Sequence, residues 1–166
     1  MAKQTWADAF GEPLRPEDLA AELEKSRSEA YFIKALKETT ILVAEEDGAL
    51  LGYVQFGDVK IPEVEVRPGD QGLRRLYVDT AAQGRGLGRR LMNAALDHPR
   101  LASASRIFLT VWEKNTHAMR LYESFGFETA GATRVTIAEK EVGEDLVMVL
   151  DKTTMQDNVG ARPTQR

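Results

Sequence analysis

A chain of 166 residues with 43% hydrophobic side chains has the material for one core, and a chain near that size buries about 70% of its unfolded surface. Its net charge is −4 and it contains no cysteine, which excludes disulfides, thiolate metal sites and covalent catalysis on a thiol. No apolar run approaches the roughly 18 residues of a membrane span, no charged-then-apolar leader opens the chain, and the acidic balance disfavours nucleic acid, so the expectation is a cytoplasmic protein bound to neither.

Thr5–Phe10 reads as a helical fragment ahead of Gly11 and Pro13. Pro16 then starts a helix over 17–25, with Glu17 and Asp18 suited to its dipole and Leu19 and Leu23 at i, i+4. A second helix spans 28–37, with Phe32, Ile33 and Leu36 expected to turn inward. Thr40–Ala44 and Leu51–Phe56 flank Glu46-Asp47-Gly48, a hairpin signal. The span 57–72 is turn-rich, and Leu73–Val78 forms the next strand. A glycine-rich turn leads into a helix that runs to about Asp97, where Pro99 disfavours helical geometry at His98. Ile107–Trp112 reads as a strand, and Asn115–Phe125 as a helix closed by a left-handed Gly126. Phe127–Ile137 and Leu146–Leu150 supply the last strands. Beyond Asp151 the sequence is polar, which sets a domain over 1–152 and a tail over 153–166.

The stretch Gln83-Gly84-Arg85-Gly86-Leu87-Gly88-Arg89 joins strand to helix. Such a turn aims backbone N–H groups and the positive end of a helix at one point, and its glycines keep the approach clear of side chains. Arg85, Arg89 and Arg90 add positive charge, and the whole reads as a phosphate cradle. No Lys follows the glycines as a Walker loop requires, and Gly84, Gly86 and Gly88 give GxGxG rather than the dinucleotide GxGxxG. Charge is distributed to match: residues 1–72 carry net −7 and residues 73–100 net +4. The acidic part either faces a cationic ligand or is a solvated surface.

The same stretch fits Q/R-x-x-G-x-G/A and resembles the pyrophosphate loop of the GNAT superfamily of N-acetyltransferases. Downstream, Asn115, Ala118, Tyr122 and Gly126-Phe127 resemble that superfamily's N-x-x-A-x-x-x-Y-x-x-x-G-F segment. The resemblance covers roughly residues 40 to 150. Val111–Asn115 and Thr129–Ala132 are most similar to the bacterial spermidine/spermine (polyamine) acetyltransferase branch. It implies one α/β domain, with a mixed, mostly antiparallel central sheet flanked by helices. The family's first strand has no room ahead of Trp6. The edge it would cover is then left to a partner chain, as in a homodimer, to the C-terminal tail, or to residues preceding this start.

The implied reaction moves acetyl from acetyl-CoA, the co-substrate, to a primary amine by direct attack. A polyamine or other small cationic amine is the first expectation for the acceptor. A protein lysine or N-terminal amine is the alternative, as is a coenzyme A-binding module that has lost catalysis. The resemblance assigns cofactor binding to Leu76, Tyr77 and Val78 on the strand and to Gln83, Gly84, Arg85, Gly86, Leu87, Gly88 and Arg89 in the loop, with the Val78 amide on the thioester carbonyl. Asn115 would hydrogen-bond the cofactor, cap its helix, or do both. Tyr122 is the expected general acid, since a phenol of pKa about 10 can protonate a departing thiolate. The usual strand carboxylate is replaced by Gly72, which leaves the base open among Glu63, Glu65, Asp70, Asp79 and a water chain. Tyr31 and Phe32 either border the acceptor groove or pack in the core. His98 and His117 are expected at the surface, and no metal-ligand spacing is present.

Overall fold

The computed structural model describes Glu17, Ala21, Lys25 and residues 28–137 and 140–153. Glu17, Ala21 and Lys25 are helical. The rest of the expected 17–25 helix, the Thr5–Phe10 fragment, any strand ahead of it and the tail beyond Thr153 lie outside the described residues.

The first described helix, α1 (Glu29–Glu38), starts where the Ser28 side chain accepts a hydrogen bond from the Tyr31 N–H at 3.1 Å. It stops at Thr39, whose N–H and hydroxyl both donate to the Ala35 carbonyl. The strands β1 (Thr40–Glu46) and β2 (Ala49–Gly57) form the expected hairpin, and its turn places Asp47 and Gly48 at φ of +51° and +80°. Positive φ at both positions matches the right-handed twist of the flanking strands. After a loop over 58–70 come β3 (Gln71–Val78), a short 3-10 turn (Thr80–Ala82), α2 (Leu87–Asp97) and the one-turn α3 (Pro99–Ala102). The chain continues through β4 (Arg106–Trp112), α4 (Thr116–Glu123), β5 (Glu128–Ile137) and β6 (Lys140–Asp151).

The six strands form one sheet in the order β1-β2-β3-β4-β6-β5, antiparallel throughout except for the parallel β3–β4 pair. One face carries the apolar core. Leu91, Met92 and Ala95 of α2 pack there with Val54, Phe56, Leu73, Ile107, Leu109, Val111 and Met148, all buried. The opposite face of β2 and β3 is covered by α1, whose Phe32 ring meets Tyr53 edge-on at 5.6 Å.

Several sequence expectations shift. Ile33 and Leu36 point outward, 55% and 63% exposed, because α1 seats itself through Ser28, Tyr31, Phe32 and Ala35, the i, i+3/i+4, i+7 stripe. Pro99 does end α2, but it also opens α3, where its missing N–H costs nothing. His98 is therefore not a plain surface residue: its Nδ1 accepts from the Arg100 N–H, and its ring lies 5.1 Å from Phe56. His117 is exposed. β6 begins six residues earlier than Leu146, since the stretch from Lys140 to Asp145 pairs with β5 and Asp145 also with β4.

The 58–70 loop is pinned by a buried ion pair. Arg106 grips Asp70 with Nη2 at 2.6 Å and Nε at 3.0 Å, and the Arg67 N–H adds a bond at 2.7 Å. Burial alone would raise the Asp70 carboxyl, but the Arg106 and Arg67 hydrogen bonds, with the attraction of both arginines, hold it below its ordinary value. Its contribution to stability is therefore full above the ordinary carboxylate range and lost as pH falls below about 4. Asp70→Asn should lower stability by about 3 kcal/mol in urea titrations at pH 7 and flatten the acid limb below pH 4. An unchanged midpoint would show that the loop is held by other contacts.

Candidate active site

β3 and β4 pair only at Gln71↔Ile107 and Gly72↔Phe108, then part. The cause lies on β3's other edge. There Phe56 faces Leu73 while its neighbour Gln55 faces Arg75, so Arg74 is an extra residue, a bulge that bends the strand. Arg74 fixes the bend by donating twice to the Asp58 carbonyl. A wedge opens between the strands. The Asp79 N–H bonds the Leu51 carbonyl on β2 at 2.8 Å. Because amide directions alternate along an extended strand, the N–H groups of Val78 and Leu76 point away from β2, into the wedge.

The glycine turn sits at the wedge's mouth. Asp79 caps the 3-10 turn through Ala81, and the Gln83 side-chain amide reaches the Val78 carbonyl at 3.4 Å. Gly84 and Gly86 have φ of +75° and +74°, and a Cβ on either would meet nothing within 4 Å. Their glycines are required by backbone conformation, and the space beyond them is clear. Gly86 caps α2 without a side chain, so the N–H groups of Leu87, Gly88 and Arg89 lack an intrahelical acceptor until Arg90 bonds Gly86 at 3.1 Å. These residues fit a diphosphate. The charge is less simple than the sequence implies, because Arg85 is bound to Glu46 at 2.6 Å and Arg89 to Ser124 at 2.9 Å. Arg90 is exposed.

Next to this turn lies α4. A Cβ on Gly88 would sit 3.4 Å from the Leu121 side chain and 3.9 Å from Val78, and Arg89 lies over the Phe125 ring. Asn115 is the N-cap, accepting from the Ala118 N–H at 3.1 Å, which leaves its amide nitrogen to reach outward. The helix closes with the Phe127 N–H on the Tyr122 carbonyl, the Gly126 N–H on the Glu123 carbonyl, and Gly126 at φ +89°. Tyr122 is buried against Phe127, with ring centroids 6.0 Å apart. Burial pushes its phenol above the ordinary value, and the Tyr77 phenol acts in the same direction.

The α1-covered face of the wedge carries the polar groups. Tyr53↔Tyr77 and Gln55↔Arg75 are cross-strand pairs on that face. Tyr31 bonds Gln55 and stacks on the Arg75 guanidinium at 4.2 Å. Tyr31 and Phe32 are thus half-buried on this face rather than in the main core. Of the carboxylates put forward as base, Asp70 is held by Arg106, Asp79 caps a turn, and Glu63 accepts from Thr133 at 2.7 Å. Glu65 is exposed on the 58–70 loop. The sequence reading passed over Asp145, opposite Trp112 on β6, whose carboxyl is raised by burial against a lowering hydrogen bond from Thr110. It also passed over Arg75. Neither carries a distinctive local signal, since Arg75 follows Arg74 and Asp145 follows Glu144 just ahead of the expected Leu146–Leu150 strand. Among the described residues no group of three or more His, Asp or Glu is placed to hold a metal ion, and no helix is long and apolar enough to cross a membrane.

The Acetyltransferase (GNAT) family profile matches residues 3–127. A spermine/spermidine N(1)-acetyltransferase of Bacillus subtilis is 35% identical over 86 residues, 51% of this chain and 57% of the relative, so the match spans little more than half of that protein. An L-methionine sulfoximine/L-methionine sulfone acetyltransferase of Salmonella typhimurium is 31% identical over 131 residues, covering 76% of this chain and 68% of the relative. Among solved structures, a PaiA N-acetyltransferase of Thermoplasma acidophilum in complex with coenzyme A superposes with a TM-score of 0.70 at 15% identity, over 90% of this chain and 87% of that one.

The two kinds of glycine in the loop should respond differently. Gly86→Ala forces a Cβ into left-handed backbone and should cost about 1–2 kcal/mol of stability by urea midpoint. Gly88→Ala, in ordinary backbone with an ordinary contact to Leu121, should cost well under half of that. Equal losses would mean that the loop conformation is set elsewhere.

Proposed function

The chain belongs to the Acetyltransferase (GNAT) family, and from that premise we propose that it transfers acetyl from acetyl-CoA directly to the primary amine of a small molecule. The observation that carries the reading is the wedge: outward-turned β3 amides at one end, a helix start with unsatisfied amides at its mouth, and a buried phenol on the adjoining helix.

Acetyl-CoA supplies a thioester, an acyl group already activated toward amines. The amides of Leu87, Gly88 and Arg89, with the open space at Gly84 and Gly86, hold the diphosphate, and Arg85 exchanges Glu46 for it. Gln83 keeps the loop against the strand. The edge from Leu76 through Tyr77 to Val78 takes an extended polar chain as a further strand would. Asn115 lends its amide nitrogen to the same chain. The Val78 N–H is fixed by the ladder before any reaction, so it stabilises charge on the acetyl oxygen without reorganising. Tyr122, kept protonated by burial, gives its proton to the departing sulfur and cannot serve as a base at neutral pH.

The amine must arrive neutral. For a lysine-like pKa of about 10.4, deprotonation at pH 7 costs roughly 4.6 kcal/mol, which calls for a proton acceptor nearby. We assign that role to Asp145, whose raised carboxyl stands on the α1-covered face, opposite the end of β4. A polyamine acceptor is supported by the identity to the Bacillus enzyme and by the acidic first 72 residues. An amino-acid-like acceptor is supported by the Salmonella relative and by Arg75 on the same face.

Tyr122→Phe should lower kcat by roughly 100-fold in a thiol-release assay, while calorimetric affinity for coenzyme A stays within twofold. Because the phenol's pKa is raised, the parent should lose no Tyr122-dependent activity below about pH 10, its ordinary value. A mutant as fast as the parent removes Tyr122 from the reaction. Asp145→Asn should lower kcat/KM for the amine by roughly 100-fold with KM for acetyl-CoA unmoved, and a loss below threefold would assign the proton to solvent instead.

A further inference from the structure

Where this protein buries a guanidinium for structural reasons, it supplies a carboxylate: Arg106 is gripped two-pronged against Asp70. Two more exposed arginines show the same pairing, Arg85 with Glu46 and Arg100 with Asp58, while Arg74 and Arg89 bond neutral oxygens. Arg75 departs from both arrangements. One face of its guanidinium lies on the Tyr31 ring at 4.2 Å, and its Nη1 is buried without a hydrogen-bond partner among the described residues. Leaving a charged donor desolvated and unbonded is costly, and a planar fork stacked on one face still presents its N–H edge to a two-oxygen acceptor.

The surroundings make this a built site. Gln55, fully buried, is held by Thr39 and by the Tyr31 hydroxyl, so the ring beneath the guanidinium is fixed in place. Arg75 shares its strand face with Tyr77 and precedes Val78 by three residues, about 10 Å along the strand. A carboxylate taken at its fork would lie on that polar face, where α1 and the β2–β3 pair border the wedge.

We propose that Arg75 is the acceptor-recognition residue and that it reads a carboxylate, so the acceptor is an α-amino acid or a closely similar amino carboxylate. The inference rests on the acetyl-transfer reading of the same wedge. A polyamine is disfavoured here, because its second ammonium would meet a guanidinium instead of a counter-charge.

The test uses the full chain with two readouts. Thiol release from acetyl-CoA is followed over L-methionine, L-phenylalanine and L-lysine, their decarboxylated amines and methyl esters, and spermidine. Binding of the same compounds to the coenzyme A-loaded protein is followed by calorimetry. Loss of a charge-assisted pair is expected to separate each acid from its decarboxylated amine by roughly 10- to 100-fold in KM and in Kd. Arg75→Gln should erase that gap, whereas Arg75→Lys, keeping charge without the fork, should retain part of it. Decarboxylated amines, esters or spermidine used as well as the acids would overturn the proposal while leaving the transferase reading intact, as would a gap that survives Arg75→Gln. Selective binding of acids without thiol release on any amine would uphold the carboxylate site and overturn the transferase. No binding of any acid overturns the proposal outright.

Discussion

Two parallel strands that share only two residue pairs hold the candidate site open. β3 and β4 lie side by side at Gly72 and Phe108, and their backbones then separate although both strands continue for several residues. In an uninterrupted sheet the amides of Leu76 and Val78 would be consumed by the neighbouring strand. Here β3 is held firm from Arg75 to Val78 by its ladder to β2, while its inner edge there is not paired with β4. Rigidity on one side and availability on the other are what a preorganised donor needs.

The charge arrangement follows a similar division. The Asp70–Arg106 pair is internal, two-pronged and structural, and it fastens the long loop beneath the sheet. The Arg85–Glu46 pair at the glycine turn is about half exposed on both sides, so water screens it and a multiply charged anion can displace it. The Glu46 carboxyl is lowered chiefly by the Arg85 hydrogen bond, so across the neutral range it remains the counter-ion that a phosphate bound there would have to replace. The net positive charge of residues 73–100 is therefore partly committed before any ligand arrives.

What was legible in the sequence was local. Gly84, Gly86 and Gly126 adopt left-handed backbone that few other residues tolerate, and Asp47-Gly48 does the same in the hairpin, so turn chemistry alone marks the loop, a helix end and one strand pair. Apolar spacing puts Leu87, Leu91, Ala94 and Ala95 on one face of α2; Leu87, Leu91 and Ala95 are buried there, but Ala94 is exposed and Met92, fully buried, takes its place in the core. The same reasoning misplaced Ile33 and Leu36. The surface that receives α1 is polar and aromatic, built from Tyr53, Gln55 and Arg75, so hydrophobicity was the wrong guide to its inner face. Arg75 and Asp145 escaped for a related reason, since their meaning depends on pairings made across the sheet.

The bulge at Arg74 links the wedge to the polar face under α1. Side chains on a strand alternate between faces, so one extra residue exchanges the faces of everything that follows. Leu73 lies in the core opposite Phe56, and strict alternation from it would send Arg75 and Tyr77 into the core and Leu76 and Val78 toward α1. With Arg74 looped out against the Asp58 carbonyl, Leu76 and Val78 pack with the core, while Arg75 and Tyr77 join Gln55 and Tyr53 under α1. The bend from the same residue pulls β3 away from β4. A single inserted residue thus opens the wedge and decides which side chains line its polar face. It couples the place where a thioester would lie to the residues that would select the amine.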